Sequence, residues 1–446
     1  MPEVRAPRVL AIVLNGVVED SRVLKCAYSA GEAGWNSLIL GTTRNGSKDQ
    51  FEVGRARVLR VPAKAPVGTG LLAKILRRGR YYVARFKFHF LPTKPPAIPG
   101  LGRAVFIMTP YAKAFAPDVI HAHDYSALPV ADALASAISS SGGVRPKVVY
   151  DAHEFLQGTQ HLSSSAHQAY STAELQISQK IDAMFVVSPQ MGPMLKEYLK
   201  ISLDAAVVAN DPISQGRRES SRLLRADAGI AEGVPLMVYS GAVAPQRGLG
   251  TVLDALPLLP GIALVIIAAP SNVYVKELMA RAASMGLSDR VKNVAYVPNE
   301  ELVSYLSGAD IGLIPLLHRP NHEISLITKF GEYAAANLPI IVSDVKTMAE
   351  EVRTIGNGEV FTAENASEFV VAVGRVIAEP AKYRAAYTDE VLRTRSWERQ
   401  SETLIATYNG LVRDRAVEVK PSAPLPFMLT TPHSLSGPDD ARSATV

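Results

Sequence analysis

Short, wholly apolar runs alternate with amphipathic stretches along most of the chain. Arg8–Leu14 is a β-branched run, followed by a loop and then an amphipathic stretch, Ser21–Ala33, that stops at Gly34. Asn36–Leu40, Val119–Ala122, Lys147–Tyr150 and Met184–Val187 read as further strands, with helices predicted over Ala127–Ile138 and from about Ser171 to Ile181. A strand apolar at every position is buried on both faces, which is the signature of a parallel sheet covered by helices. A second series predicts strands at Leu236–Ser240, Ala263–Ala268, Asn293–Val297, Ile311–Pro315 and Ile340–Ser343. Helices at Leu249–Leu258, Val273–Met285, Glu300–Ser307 and Leu326–Ala336 separate them, and a last helix is predicted over Trp397–Val412.

Length supports the same division. At about 100–200 residues per domain, 446 residues suit two large α/β domains and a tail. The expected boundaries are 1–210 for an N-terminal domain and 211–395 for a C-terminal one, then a helix at 396–416 returning to the first domain. A tail at 417–446, rich in proline and serine, reads as disordered. The polar stretch after Val207–Pro212 (QGRRESSRLLRADAG) is expected to end the first domain.

A hydrophobic fraction of 48% excludes wholesale disorder, and no apolar run approaches the ~18–20 residues that span a bilayer. The opening MPEVRAPRVLAIVLNG has too short an apolar stretch for a secretion signal. The single cysteine, Cys26, excludes a disulfide framework and suits a reducing cytoplasm; it is expected to be core. A net charge of +5 allows anionic partners without naming one.

In parallel α/β sheets ligands bind at the carboxyl ends of strands, so the loops there carry the candidate chemistry. Asn15–Gly16 follows the first strand, where glycine lets backbone approach a phosphate, although by itself the segment reads first as an ordinary strand–helix turn; there is no GxGxxG. Tyr239–Gly248 (YSGAVAPQRG) follows a strand and enters a helix, so Gly241 and Arg247 can build a diphosphate cradle. Lys329 and Glu332 stand three apart on a predicted helix and share a face, where a lysine can reach phosphate and a carboxylate a ribose; a solvent-facing ion pair is the plain alternative. His121, His123 and His153 fall at two strand ends, with Asp124, Asp151 and Glu154 beside them. No HExxH or comparable spacing appears, so a metal site is not expected.

In their order along the chain, these segments resemble the retaining glycosyltransferases of GT-B fold, family four. PDVIHAHDYSALPVADAL (Pro117–Leu134), VVYDAHEF (Val148–Phe155), YSGAVAPQRGLGTVLDAL and SLITKFGEYAAANLPIIVSD carry most of the likeness. The resemblance implies two facing Rossmann-like parallel-sheet domains, and transfer of a sugar from a nucleotide-sugar donor with retained configuration. It would place Glu332 on the ribose, Arg247 and Lys329 on the diphosphate with Gly241, and the backbone of Gly16 on the distal phosphate. His153 would orient an acceptor hydroxyl and stabilise charge on the sugar, while the departing phosphate takes the proton. Asp20 and Arg22 would pack at the cleft floor. Many members carry two glutamates separated by seven residues; here Ile324 stands at the first, with Glu323 and Ser325 beside it as candidates for the sugar contact. Ala242 stands where the family's loop arginine is usual. No metal or other cofactor is implied.

The expected partners are a nucleotide-sugar donor and a carbohydrate or lipid-linked acceptor. Lys74–Phe90, basic with interleaved aromatics, fits peripheral contact with anionic lipid at the inner membrane face. Nucleic-acid contact, not expected here, and a solvated insertion are its other readings. The competing functions are a sugar-nucleotide epimerase or hydrolase of the same fold and a non-catalytic sugar- or nucleic-acid-binding protein.

Overall fold

A computed structural model describes residues 5–43, 47–63, 98, 100–214 and 219–413. Lys74–Phe90 and the tail 417–446 lie outside them. The chain forms two compact units: residues up to Val208 with the described residues from Ser401 onward, and Ala209–Gln400.

The first unit is built on an eight-stranded sheet in the order β3-β4-β2-β1-β5-β6-β7-β8. Its strands are β1 (Arg8–Ile12), β2 (Asn36–Thr43), β3 (Asp49–Val53), β4 (Ala56–Pro62), β5 (Val119–His123), β6 (Lys147–Ala152), β7 (Ala183–Val186) and β8 (Ala206–Val207). All neighbours are parallel except β3 and β4, an antiparallel hairpin at the edge. Sequence patterning missed that hairpin because DQFEV and ARVLRVP interleave charged residues with apolar ones, as an edge strand with one wet face does. The helix Leu101–Phe115 was missed too, and Ser164–Ile177 starts seven residues before its expected beginning at Ser171, with the Ser163 side chain accepting from Ala166 N–H as its cap.

The second unit holds a six-stranded sheet in the order β11-β10-β9-β12-β13-β14. These are β9 (Leu236–Ser240), β10 (Ala263–Ile267), β11 (Val291–Val294), β12 (Ile311–Ile314), β13 (Ile340–Ser343) and β14 (Gly358–Phe361). Alternate residues of one strand enter opposite cores: Leu236 and Val238 join one cluster, Met237 and Tyr239 the other. Leu224, from the polar stretch expected to close the first domain, is buried in this unit, and Arg225 reaches Asp310 at 2.7 Å. The described part of that stretch, residues 219–229, therefore lies in the second unit, on the side of the boundary expected at 211.

Candidate functional site

In the second unit, β9 runs out into Gly241, whose φ of 110° is a conformation side chains rarely adopt. A Cβ there would lie 2.8 Å from Lys329 Nζ, so glycine is what lets the ammonium rest against the loop. Lys329 comes from the helix Thr328–Ala335. Tyr333 ties that helix to β9: its hydroxyl accepts from Ser240 N–H at 3.1 Å and donates to the Val238 carbonyl at 3.3 Å. Lys329 Nζ also lies 4.9 Å from the centre of the Tyr239 ring, a cation–π contact. Arg247 ends the turn Pro245–Arg247, and Gly248 follows with φ 75° to start the next helix, where a Cβ would collide with the Pro315 carbonyl.

Burial and the repulsion of Arg247 pull the Lys329 ammonium down to about 7, against the opposing attraction of Glu332. Arg247 and Glu332 therefore both act on Lys329, which rests at the end of β9. Two cations beside a glycine backbone, with a carboxylate one helical turn away, make a receptor for a phosphorylated ligand that also carries hydroxyls.

Glu323 is hydrogen-bonded through both of its oxygens. One oxygen bonds His318 Nδ1 at 2.6 Å and the other accepts from Lys346 N–H at 2.8 Å. His318 Nε2 bonds Asp344 at 3.0 Å, and these bonds, Glu323's first, raise its pKa. Both oxygens of Glu323 are thus engaged at the start of the helix Lys346–Ile355. Ser325 is a half-buried, extended residue just past the helix Pro320–Ile324.

In the first unit the histidines gather around one carboxylate. β5 and β6 pair in register so that His123 lies opposite Asp151. Asp151 is fully buried and takes two bonds from Arg22, Nε to Oδ2 at 2.8 Å and Nη2 to Oδ1 at 2.6 Å, while Arg22 Nη1 donates to the Val208 carbonyl at 2.6 Å. His121, His123 and His153 approach the same Oδ2 at 3.4, 3.2 and 3.3 Å. Burial would raise the Asp151 carboxyl, but Arg22, with His153 behind it, holds it well below the usual range. His121 and His123 are pushed down, mainly by burial. Burial pulls His153 the same way, yet Asp151 outweighs it and its pKa is raised.

Only His153 of the three reaches the surface, its side chain 23% exposed. His121 and His123 are interior, and His121 Nδ1 bonds the Tyr408 hydroxyl at 2.6 Å on the helix Trp397–Leu411. Sequence patterning had no means of pairing residues 287 positions apart. Asp20 caps the helix Ser21–Glu32 through Val23 N–H, and Arg22 is an ion-pair partner rather than packing alone. Gly16 is exposed with open space where a Cβ would go, and Val17, φ 70°, takes the left-handed turn instead. Cys26 is buried, its thiol pushed up to about 12 chiefly by burial.

Residues 21–210 match the family model described as glycosyl transferase 4-like domain, and residues 220–391 match glycosyl transferases group 1. The chain belongs to this glycosyltransferase family. A D-inositol 3-phosphate glycosyltransferase of Nocardia farcinica is 25% identical over 201 residues, 42% of this chain and 43% of that protein. A glycogen synthase of Mycobacterium tuberculosis is 24% identical over 273 residues, 60% of this chain and 62% of the relative. The matched stretch thus spans less than half the length of the first of these relatives. Among solved structures, a sucrose-phosphate synthase from Thermosynechococcus elongatus superposes with a TM-score of 0.71 at 17% identity, covering 92% of this chain and all of that one. Anabaena HepE in complex with UDP superposes at 0.63 and 16% identity, over 90% of this chain and all of the other. The fold is therefore GT-B. Among the described residues no helix is long and apolar enough to cross a membrane.

Proposed function

We propose that the chain transfers a sugar from a nucleotide-sugar donor to a hydroxyl acceptor with retention of configuration. The observation that carries this reading is the approach of Lys329 to Gly241, with Arg247 and Glu332 acting on the same ammonium. Arg247 and Lys329 take the diphosphate, and Glu332 the ribose. In the transfer the bond from anomeric carbon to phosphate breaks, the bond to the acceptor oxygen forms, and the acceptor's proton passes to the departing phosphate. The two cations stabilise the charge that grows on that leaving group. His153, held by Asp151 and raised in pKa, orients the acceptor hydroxyl.

Solved structural neighbours in complex with UDP and with UDP-glucose support the choice of donor. Between Glu323 and Ser325, the engaged oxygens of Glu323 favour Ser325 for the sugar contact. We expect the reaction to need no metal. His123, Asp151 and His153 come close enough to hold an ion, but Arg22 already occupies both Asp151 oxygens. A buried lone cysteine supports a cytoplasmic setting.

Incubation with UDP-, GDP- and ADP-sugars, with and without alcohol acceptors and with a chelator present, tests the reading. Acceptor-dependent release of nucleoside diphosphate, unchanged by chelator, is expected. Conversion of the donor to an epimer without acceptor would overturn it.

A further inference from the structure

We propose that the first unit carries an apolar acceptor subsite, which takes the hydrocarbon part of an alcohol whose hydroxyl lies toward Asp124. This rests on the glycosyltransferase reading and narrows its acceptor to alcohols with an apolar body.

A cavity of about 370 Å³ opens at the carboxyl ends of β1, β2 and β4, against the helix Leu101–Phe115. That is the size range of a ligand pocket. Leu14, Val61, Leu101, Ile107 and Met108 give its walls, and Arg103 is the one charged residue among those that line it. A free sugar or polyol there would leave its hydroxyls without partners along those walls, which is costly. An alkyl or ring skeleton loses nothing.

The hydroxyl-bearing residues of the cavity lining are Thr42, Ser126 and Tyr170, of which Thr42 Oγ1 donates to the Leu14 and Asn15 carbonyls at 3.3 Å. Ser126 is two residues from Asp124, and the Tyr170 phenol is pushed up by burial and then by the Asp124 carboxylate. Asp124 is a non-glycine residue at φ 70°, and its Oδ1 is buried without a hydrogen-bond partner. Strain and an unsatisfied buried acceptor persist where the surrounding fold imposes them, and they concentrate at ligand sites. A hydroxyl donated to that oxygen would satisfy it. Asp124 and His153 lie at the ends of adjacent strands, and each charge acts on the other.

The test is a chain-length series on the full chain, butanol through octanol, followed by calorimetry and by use of each alcohol as acceptor. Affinity should rise about fourfold per added methylene, then level off once the cavity is full. Ala104→Trp, which fills the cavity from the helix, should weaken hexanol binding at least tenfold while leaving UDP affinity and the melting temperature unchanged. Flat affinity along the series would overturn the proposal, as would undiminished hexanol binding in a folded Ala104→Trp. If that variant does not fold, the wild-type series alone decides. Consumption of a nucleotide sugar with glycerol as readily as with octanol would refute the subsite alone. Rising alcohol affinity with no nucleotide binding would instead refute the transferase reading and leave the subsite standing.

Discussion

Lys329 offers the sharpest test of the diphosphate site, because its charge is set by its surroundings. Burial and Arg247 hold its pKa down to about 7, so about half of the population is neutral at that pH. A bound diphosphate leaves burial and Arg247 in place but sets negative charge against the ammonium, which offsets both and should return it towards the ordinary value of about 10.4. Binding above pH 7 must then take up a proton. With the free value at about 7 and a bound value of about 10, uptake at pH 8 is roughly 0.9 proton, and UDP affinity falls about 50-fold from pH 7 to pH 9. Below pH ~6 protonation of the phosphate itself opposes binding, so affinity should peak close to neutrality. Titration calorimetry with UDP at pH 8, in buffers of different ionisation enthalpy, counts the protons directly. Lys329→Met should abolish the uptake and weaken binding at pH 7 by about 1.5–3 kcal/mol, the worth of a charged hydrogen bond. Affinity flat between pH 7 and 9, with no proton uptake, would refute the placement of Lys329 on the phosphate.

Further outcomes are expected at neighbouring positions. Glu332→Ala should weaken UDP by about 1–3 kcal/mol through lost hydrogen bonds to the ribose, and leave inorganic pyrophosphate unaffected; equal losses for both would remove it from the ribose. Arg22→Met strands the buried Asp151 carboxylate and should lower stability in urea by about 3–5 kcal/mol, with Arg22→Met/Asp151→Leu recovering most of it. The His153 imidazole should titrate above the usual ~6.5 by NMR, since Asp151 outweighs its burial; a lower value would contradict the arrangement around Asp151. Glu174 is buried, accepts from the Tyr150 hydroxyl at 2.6 Å and is raised to about 7, chiefly by burial. The folded state holds this proton more tightly than the unfolded one, so wild type loses stability as pH rises from about 4.5 through 7. Relative to Glu174→Gln, that loss should reach about 3 kcal/mol by pH 8, measured as the difference between their unfolding curves.

Much of the architecture was open to reading from one dimension because its cause is local. A strand such as ALVII at Ala263–Ile267 is buried on both faces, so every position is apolar and the run stands out in the chain. The strand-end loops were legible for the same reason: Gly241 answers a backbone demand, and Lys329 and Glu332 share a helix face by periodicity alone. Where the local signal is mixed, reading failed. The β3–β4 hairpin sits at a sheet edge and alternates, and Leu224 carries a polar neighbourhood into the second unit's core.

What the chain order alone determined was which residues end the strands, hence which could meet a ligand. Tertiary structure decided which of them remain available. Three histidines at strand ends looked equivalent in sequence, yet register places Asp151 opposite His123, and the distant Tyr408 takes His121, leaving His153 to face outward. Glu323, one of the two sequence candidates for the sugar contact, has both oxygens bonded, to His318 and to the Lys346 N–H. The pKa of Lys329 depends on a cation 82 residues earlier in the chain. Burial and charge act through space, and only the packed fold states which distant groups are near enough for either to matter.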